Sequence, residues 1–377
     1  MQHKKKINVG VIFGGRSAEH EVSLVSASSV INALDKKKYN IIPIGITKDG
    51  EWISGKNILN VLKSKIKLKN KTKAILLPEP IKKNLLFIND SWSIILRKHL
   101  DVIFPILHGT YGEDGTIQGL CELTNIPYVG AGVLGSSVGM DKVITKQLCE
   151  GVKIPVSPFI WFTNKDYSSK TKNILSTIEN KIGYPCFIKP ANLGSSVGIS
   201  KAHNKKELVN AIEIAFKYDR KILIEKSIEN SREIEVSILG NDEPIASIPG
   251  EIISSNEFYD YDAKYIDGKS KSIIPAKLPA SVIKKIKELA IRSFKTINCY
   301  GMARVDFLVT RRANKIYFNE INTIPGFTSI SMYPKLWEAS GIPYSELLDR
   351  LILLAIDRHK EKSKLKTTFR PKKEWYA

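Results

Sequence analysis

The sequence predicts an α/β protein that opens with a doubly wound parallel-sheet layer and continues into two smaller α+β units. Three observations carry that expectation. Apolar runs at residues 7–13, 41–46 and 101–107 are short and hardly alternate, as in strands buried on both faces. The first two flank a stretch of helical spacing, giving a β-α-β unit whose first turn, Gly14-Gly15-Arg16-Ser17-Ala18, is rich in glycine. Later strands alternate charged and apolar residues, so that each face carries one kind.

The helix of the first unit is expected to open at Glu21, with Leu24, Ala27, Ile31 and Leu34 on its apolar face. Ligands collect at the carboxyl ends of such strands, where residues 14–21 lie. Glu21 is therefore a binding candidate, or only a first-turn acid that suits the helix dipole. Residues 55–98 show little pattern. Within them lysine occupies every second position from Lys63 to Lys73, six in all, which would put one charged face on a protected edge strand. The strand at 101–107 ends in a second polar loop, His108-Gly109-Thr110-Tyr111-Gly112-Glu113-Asp114-Gly115, where His108 is assigned a structural role. The first domain is drawn at 1–143, ending with Gly139-Met140-Asp141-Lys142 and followed by a helix at 143–149.

A central unit, 144–238, contains Lys189-Pro190-Ala191-Asn192-Leu193-Gly194-Ser195-Ser196-Val197-Gly198-Ile199. A lysine at a strand end, followed by a turn of backbone N–H groups and hydroxyls, can grip phosphate oxygens, although a plain flexible hairpin has the same composition. Helices are expected at 173–181 and 205–216, and strands at 221–226 and 232–240. Glu225 and Lys226 beside an apolar slot could hydrogen-bond a purine, or could form a surface ion pair.

The last unit, 239–377, carries the most specific chemistry. In strands at 300–309 and 315–322, Arg304 and Asp306 share one face, and Glu320 and Asn322 share another. Pairing these strands brings three oxygen ligands beside a guanidinium, a donor set that suits Mg²⁺ with ATP phosphates completing the octahedron. The loop from Thr323 to Ser331 leads into a helix at 331–339, where backbone N–H groups could receive a carboxylate or oxyanion. Residues 254–272 form a long polar loop with the composition of a lid.

Composition narrows the classes further. The chain has 377 residues, 43% hydrophobic and 25% charged, which suits a globular enzyme of two or three domains. Cysteines 121, 149, 186 and 299 have no metal or redox spacing and are expected to be buried thiols in a reducing compartment. The run at 7–13 is too short for a signal peptide, and no stretch approaches the ~20 apolar residues of a membrane span. A cytoplasmic protein follows. The net charge of +20 invites a polyanion partner, but its diffuse spread favours a solvated lysine-rich surface, with neither nucleic acid nor membrane as partner.

Taken together, the motifs resemble the D-alanine–D-alanine ligases, a three-domain family of the ATP-grasp fold. The resemblance runs from Ile7 to about Leu354. It rests on Gly14-Gly15-Arg16-Ser17-Ala18-Glu19-His20-Glu21-Val22-Ser23, the loop from His108, Gly139-Met140-Asp141-Lys142 and the hairpin from Lys189. Tyr259-Asp260-Tyr261-Asp262-Ala263-Lys264-Tyr265, Arg304-Val305-Asp306 and Glu320-Ile321-Asn322-Thr323-Ile324-Pro325-Gly326 complete the series. The resemblance implies ligation of two D-alanines through a D-alanyl phosphate, for peptidoglycan precursor synthesis. It implies that Lys142, Lys189, Ser195 and Ser196 meet ATP phosphates, that Glu225, Lys226 and the Ile228 backbone hold adenine, and that Glu233 holds ribose. Asp306, Glu320 and Asn322 would bind two Mg²⁺ ions, for which Mn²⁺ can substitute. Glu21 would take the first D-alanine's ammonium group, and Arg304 with the Gly326 N–H the oxyanion. Ser331, Met332, Lys264 and Tyr265 would border the second D-alanine, and a Glu21–Ser195–Tyr265 triad would tie the domains together. Lys264-Tyr265 is the pattern of dipeptide-forming members rather than of relatives that make the D-lactate ester; a ligase joining D-alanine to D-lactate or D-serine is the alternative. A homodimer through the N-terminal domain is also implied.

Overall fold

The computed structural model describes residues 5–55, 57–64, 72–253 and 271–369. Three sheets follow one another along the chain. The first contains β1 (Ile7–Gly14), β2 (Tyr39–Ile46), β3 (Trp52–Ser54), β4 (Lys73–Leu76), β5 (Asn84–Ile88), β6 (Ile94–His99) and β7 (Val102–Ile106), in the order β6-β5-β4-β3-β2-β1-β7. Only β1, β2 and β7 run parallel, and β3 to β6 extend them as an antiparallel flank. The expected doubly wound layer is therefore parallel at its core alone. The helices of this part are α1 (His20–Ala33), α2 (Ile58–Ser64), α3 (Thr116–Thr124) and α4 (Val133–Met140).

The stretch 55–98, without pattern in the sequence, supplies α2 and three short strands. One edge of the sheet is β6, exposed along its whole length. Lys63 belongs to α2 and Lys73 to β4, and residues 65–71 between them lie outside the described residues.

The central unit holds α5 (Lys142–Gly151), β8 (Phe159–Thr163), α6 (Asn164–Lys181), β9 (Cys186–Pro190), β10 (Ser200–Ala202), α7 (Lys205–Ala215) and β11 (Lys221–Lys226). Its sheet, β10-β9-β11-β8, is antiparallel throughout. Helix α6 is broken at Lys170, whose φ of −134° is not helical; the part after the break corresponds to the expected helix at 173–181, and the part before it was not expected. A capping box pairs Thr163 with Asp166 and nucleates a polar first half that apolar periodicity does not mark.

The last unit holds β12 (Ser231–Gly240), β13 (Ile245–Ala246), β14 (Gly250–Ile253), β15 (Lys271–Ile273), α8 (Ala280–Thr296), β16 (Gly301–Thr310), β17 (Ile316–Asn322), α9 (Met332–Ala339) and α10 (Tyr344–Lys362). The sheet order is β15-β14-β12-β16-β17. The boundary expected at 238/239 falls inside β12, which pairs with β16 from Ser231 to Gly240, so this strand belongs wholly to the third sheet.

One apolar core joins the first and last units. Val9, Val11 and Phe13 of β1 and Leu24 and Ala27 of α1 share it with Leu347, Leu351 and Ile352 of α10. Phe327 enters the same core edge-on to Phe104, with ring centroids 5.8 Å apart. The loop before α9 is thereby seated on the carboxyl end of the first sheet.

Candidate active site

Strands β16 and β17 bring the expected cluster together. Their register sets Arg304 opposite Asn322 and Asp306 opposite Glu320. Arg304 grips Asp306 with both arms, Nε to Oδ1 at 2.8 Å and Nη2 to Oδ2 at 2.6 Å, the fork geometry that matches a carboxylate. Asn322 Nδ2 donates to Asp306 Oδ2 at 3.1 Å. Arg304 Nε also lies 3.1 Å from Oε2 of Glu235 on β12. This buried group of acids pushes the Arg304 guanidinium well above its ordinary pKa despite the opposing cost of burial. The donor set that a divalent cation would use, two carboxylates and an amide oxygen, is thus on one face, and an all-oxygen set fits Mg²⁺.

On one side of this face is a cavity of about 240 Å³, and on the other a slot of about 100 Å³. Arg304, Glu235 and Glu320 border both. The cavity is lined by Lys142, Ser195, Asn322, Gly326, Ser331 and Met332 among the expected residues. The slot is lined by Lys189, Ser196, Glu225, Lys226, Ile228, Glu233 and Asp306. Lys264 and Tyr265 lie outside the described residues.

Glu21 is a correction. It sits in the first turn of α1, half exposed, with Lys48 Nζ 2.5 Å from its Oε1, and it does not line the cavity. Glu19 does: it precedes the helix, is buried, and accepts a hydrogen bond from the Ser195 hydroxyl at Oε1. The contact expected between the first glycine-rich turn and the hairpin therefore exists, made by the acid two residues earlier. Gly109 and Gly194 flank that carboxylate so closely that a Cβ on either would come within 2.6 and 2.7 Å of Glu19 Oε2.

The hairpin leaves β9 at Pro190 and returns in β10, with Ser195, Ser196 and Gly198 at φ of 50°, 60° and 73°. Lys142, the first residue of α5, donates its backbone N–H to Ala191 O and its ammonium to Leu193 O, 2.9 and 2.6 Å. That ammonium is also 4.0 Å from Glu320.

Glu225 is buried at the border of the slot, and its carboxylate is held by three donors. Lys189 contacts Oε1, and Lys146 Nζ and the Ser157 hydroxyl each lie 2.9 Å from Oε2. Burial alone would raise its pKa, but the two ammonium groups outweigh that and hold it well below the usual carboxylate range. Burial would lower the Lys189 pKa, and Glu225 beside it raises it instead.

His108, assigned a structural role from the sequence, borders the cavity and is held at both ring nitrogens. The ring is buried, with Nδ1 3.0 Å from Ile324 O and Nε2 3.1 Å from Ser26 Oγ, and a neutral ring protonated on Nδ1 satisfies both. Burial lowers its pKa accordingly. Ser26 Oγ also accepts from Phe327 N at 3.3 Å, so His108 and Ser26 hold the loop that presents Gly326. A side chain at 326 would collide with Ser331 Oγ, 2.6 Å from the position of a Cβ.

Four residues at the site, Glu19, Glu113, Lys146 and Glu235, were not singled out as ligands. Glu113 lines the cavity, and burial with the nearby Glu19 pushes its carboxyl up to about 8. Its sequence signal was its place in a glycine-rich loop at a strand's carboxyl end.

Comparison with known proteins agrees with this geometry. The family described as D-ala D-ala ligase N-terminus matches residues 8–131, and that described as D-ala D-ala ligase C-terminus matches 148–353. The chain belongs to the D-alanine–D-alanine ligase family. The D-alanine–D-alanine ligase of Natranaerobius thermophilus is 51% identical, covering 97% of this chain and 99% of that protein. The one from Caldicellulosiruptor bescii is 53% identical over 96% and 98%. Among solved structures, the D-alanine–D-alanine ligase of Coxiella burnetii superposes with a TM-score of 0.82 at 38% identity, covering 96% and 97%. The VanG D-Ala:D-Ser ligase of Enterococcus faecalis gives the same score at 40% identity, covering 93% and 100%. The ligase fold thus extends over nearly the whole chain, with its three sheets arranged around the face of β16 and β17.

Proposed function

We propose that this protein joins two D-alanines to D-alanyl-D-alanine with hydrolysis of ATP to ADP and phosphate, for peptidoglycan precursor synthesis. The observation that carries the reading is the shared face of Arg304, Asp306, Glu320 and Asn322 between a polar cavity and a narrow slot. The slot takes the nucleotide, with Lys226, the Ile228 backbone and Glu233 toward base and ribose and Lys189 and Ser196 toward the phosphates. Lys142 and Ser195 close over the phosphates from the hairpin side. Asp306, Glu320 and Asn322 would hold two Mg²⁺ ions, or Mn²⁺, which would neutralise charge on the transferred phosphoryl group.

Within the cavity, Glu19 replaces Glu21 as the carboxylate for the first D-alanine's ammonium group. That amino acid's carboxylate oxygen attacks the γ-phosphorus, giving D-alanyl phosphate and ADP. The deprotonated amine of the second D-alanine then attacks the acyl carbon, and phosphate leaves. Arg304 and the Gly326 N–H would bind the oxyanion of the tetrahedral intermediate, where fixed donors stabilise developing charge. Ser331 and Met332 border the second substrate in the cavity. The protein acts in the cytoplasm and as a homodimer; no described helix is long and apolar enough to cross a membrane.

The deciding experiment incubates the purified protein with D-alanine, ATP and Mg²⁺, identifies the product by mass and follows phosphate release, with D-serine and D-lactate offered in parallel arms. D-alanyl-D-alanine is the expected main product. Preferential formation of the D-lactate ester near neutral pH, or of D-alanyl-D-serine, would replace this reading.

A further inference from the structure

Lys146 lies on α5 and is 1% exposed, so no small molecule reaches its ammonium group. An isolated buried ammonium is costly, and this one is paired. Its Nζ stands 2.9 Å from Glu225 Oε2 and donates to Phe318 O at 3.4 Å. Phe318 is on β17, two residues before Glu320. The single contact cluster therefore ties α5 to the central sheet and to the strand of the acidic cluster.

The Glu225 carboxylate has two cationic partners on opposite oxygens. Lys146 holds Oε2 together with the Ser157 hydroxyl, and Lys189 holds Oε1. The two lysines differ in access. Lys189 lines the slot and also donates to Asn319 Oδ1 at 3.3 Å, whereas Lys146 is sealed behind it. Two ammonium groups against one carboxylate leave the cluster with one positive charge, and only the Lys189 ammonium is presented to the slot.

We propose that Lys146 is a positioning residue for the nucleotide: it is the standing counterion of Glu225, and so frees Lys189 to bind phosphate. This rests on the slot's being the nucleotide site. Without Lys146, Glu225 depends on Lys189 alone, and any ligand drawing Lys189 away leaves a buried carboxylate uncompensated, which is strongly unfavourable. With Lys146 in place, the Lys146–Glu225 pair stays neutral while Lys189 shifts its bonding from one anion to another. A lysine that only fastened α5 to the sheets would affect folding and both substrates alike.

The test uses the full-length enzyme and compares KM for ATP with KM for D-alanine in Lys146→Met, Lys146→Arg, Glu225→Gln and the double variant E225Q/K146M. Lys189→Met serves as the gauge of the slot. Lys146→Met should raise KM for ATP by roughly tenfold or more while KM for D-alanine stays within about twofold. Lys146→Arg, which keeps the charge, should remain within about threefold of the parent. In the E225Q background there is no carboxylate to neutralise, so removing Lys146 should cost less than about threefold. The inference falls if Lys146→Met leaves the ATP value unchanged, moves both values alike, or costs as much with Glu225 already replaced. Should Lys146→Met fail to fold, Lys146→Gln takes its place with the same expected outcomes, and a further tenfold rise in KM for ATP from E225Q to E225Q/K146M overturns the inference by itself. If Lys189→Met itself leaves KM for ATP untouched, the assignment of the nucleotide to the slot is what fails.

Discussion

Glu19 and Glu21 stand two residues apart at the start of α1, and a helix turns by about 200° over that distance, so their carboxylates leave on different sides. One is buried against Ser195 and the other is paired with Lys48 at the surface. Glu19→Gln should lower kcat/KM for D-alanine by roughly tenfold to a hundredfold, the loss of a charge-assisted contact. Glu21→Gln should change it by less than about twofold, because exposed ion pairs contribute little. Equal effects of the two substitutions would remove Glu19 from the substrate site. Glu113 makes a prediction about pH. Its carboxyl, pushed from 4.5 up to about 8, binds a proton in the folded protein that the unfolded chain has already lost. Its stabilising contribution is complete below the unfolded value and is lost as pH rises through the folded one, so stability should fall across that window. Glu113→Gln keeps a neutral acceptor for the Gly109 N–H and cannot ionise. Its melting temperature should fall less than the parent's over the same pH range, and an identical fall would assign the effect to another group.

Helix α5 shows how an element's end can set a functional side chain. Asp141 caps it, accepting from Val143 N and Ile144 N at 3.0 and 3.1 Å, and its other oxygen pairs with Lys221 of β11. The next residue is Lys142, whose position over the hairpin follows from that cap. Asp141→Ala should cost about 1–2 kcal/mol from the lost cap. The cost would be read as a lower urea midpoint at unchanged slope. It should also raise KM for ATP through Lys142. Asp141→Asn, a good cap without charge, should recover part of the stability. A midpoint unchanged by Asp141→Ala would mean that packing alone holds α5. The same helix was legible in the sequence within two residues at either end, and β11 over the same residues, because apolar spacing and strand length are local signals. Residues 55–98 were not, since α2 and β4 to β6 are short and partly exposed, and β6 buries neither face.

At the scale of the whole molecule, the apolar core shared by β1, α1 and α10 makes the first and last units one framework, while the slot lies between the second and third sheets. A ligand bridging those sheets stabilises the folded state by mass action, by about 2.7 kcal/mol at a hundred times its Kd. ATP with Mg²⁺ should therefore raise the melting temperature, and EDTA should remove most of the gain. An equal shift with chelator present would show that Asp306, Glu320 and Asn322 hold no metal. The sequence by itself determined the β1-α1-β2 unit, α5, β11, the common face of Arg304 and Asp306, the common face of Glu320 and Asn322, and the hairpin after Lys189. Each of these follows from a repeat of two or about 3.6 residues, or from a turn read within a few positions. Only the tertiary structure decided that Glu19 rather than Glu21 meets Ser195, that Glu235 joins Arg304 from β12, and that the Glu225 carboxylate is held by Lys146 and Lys189. Periodicity says which side chains share a face. Which face is covered, and by what charge, depends on distant residues, 176 positions away for Glu19 and Ser195, and no local pattern carries that.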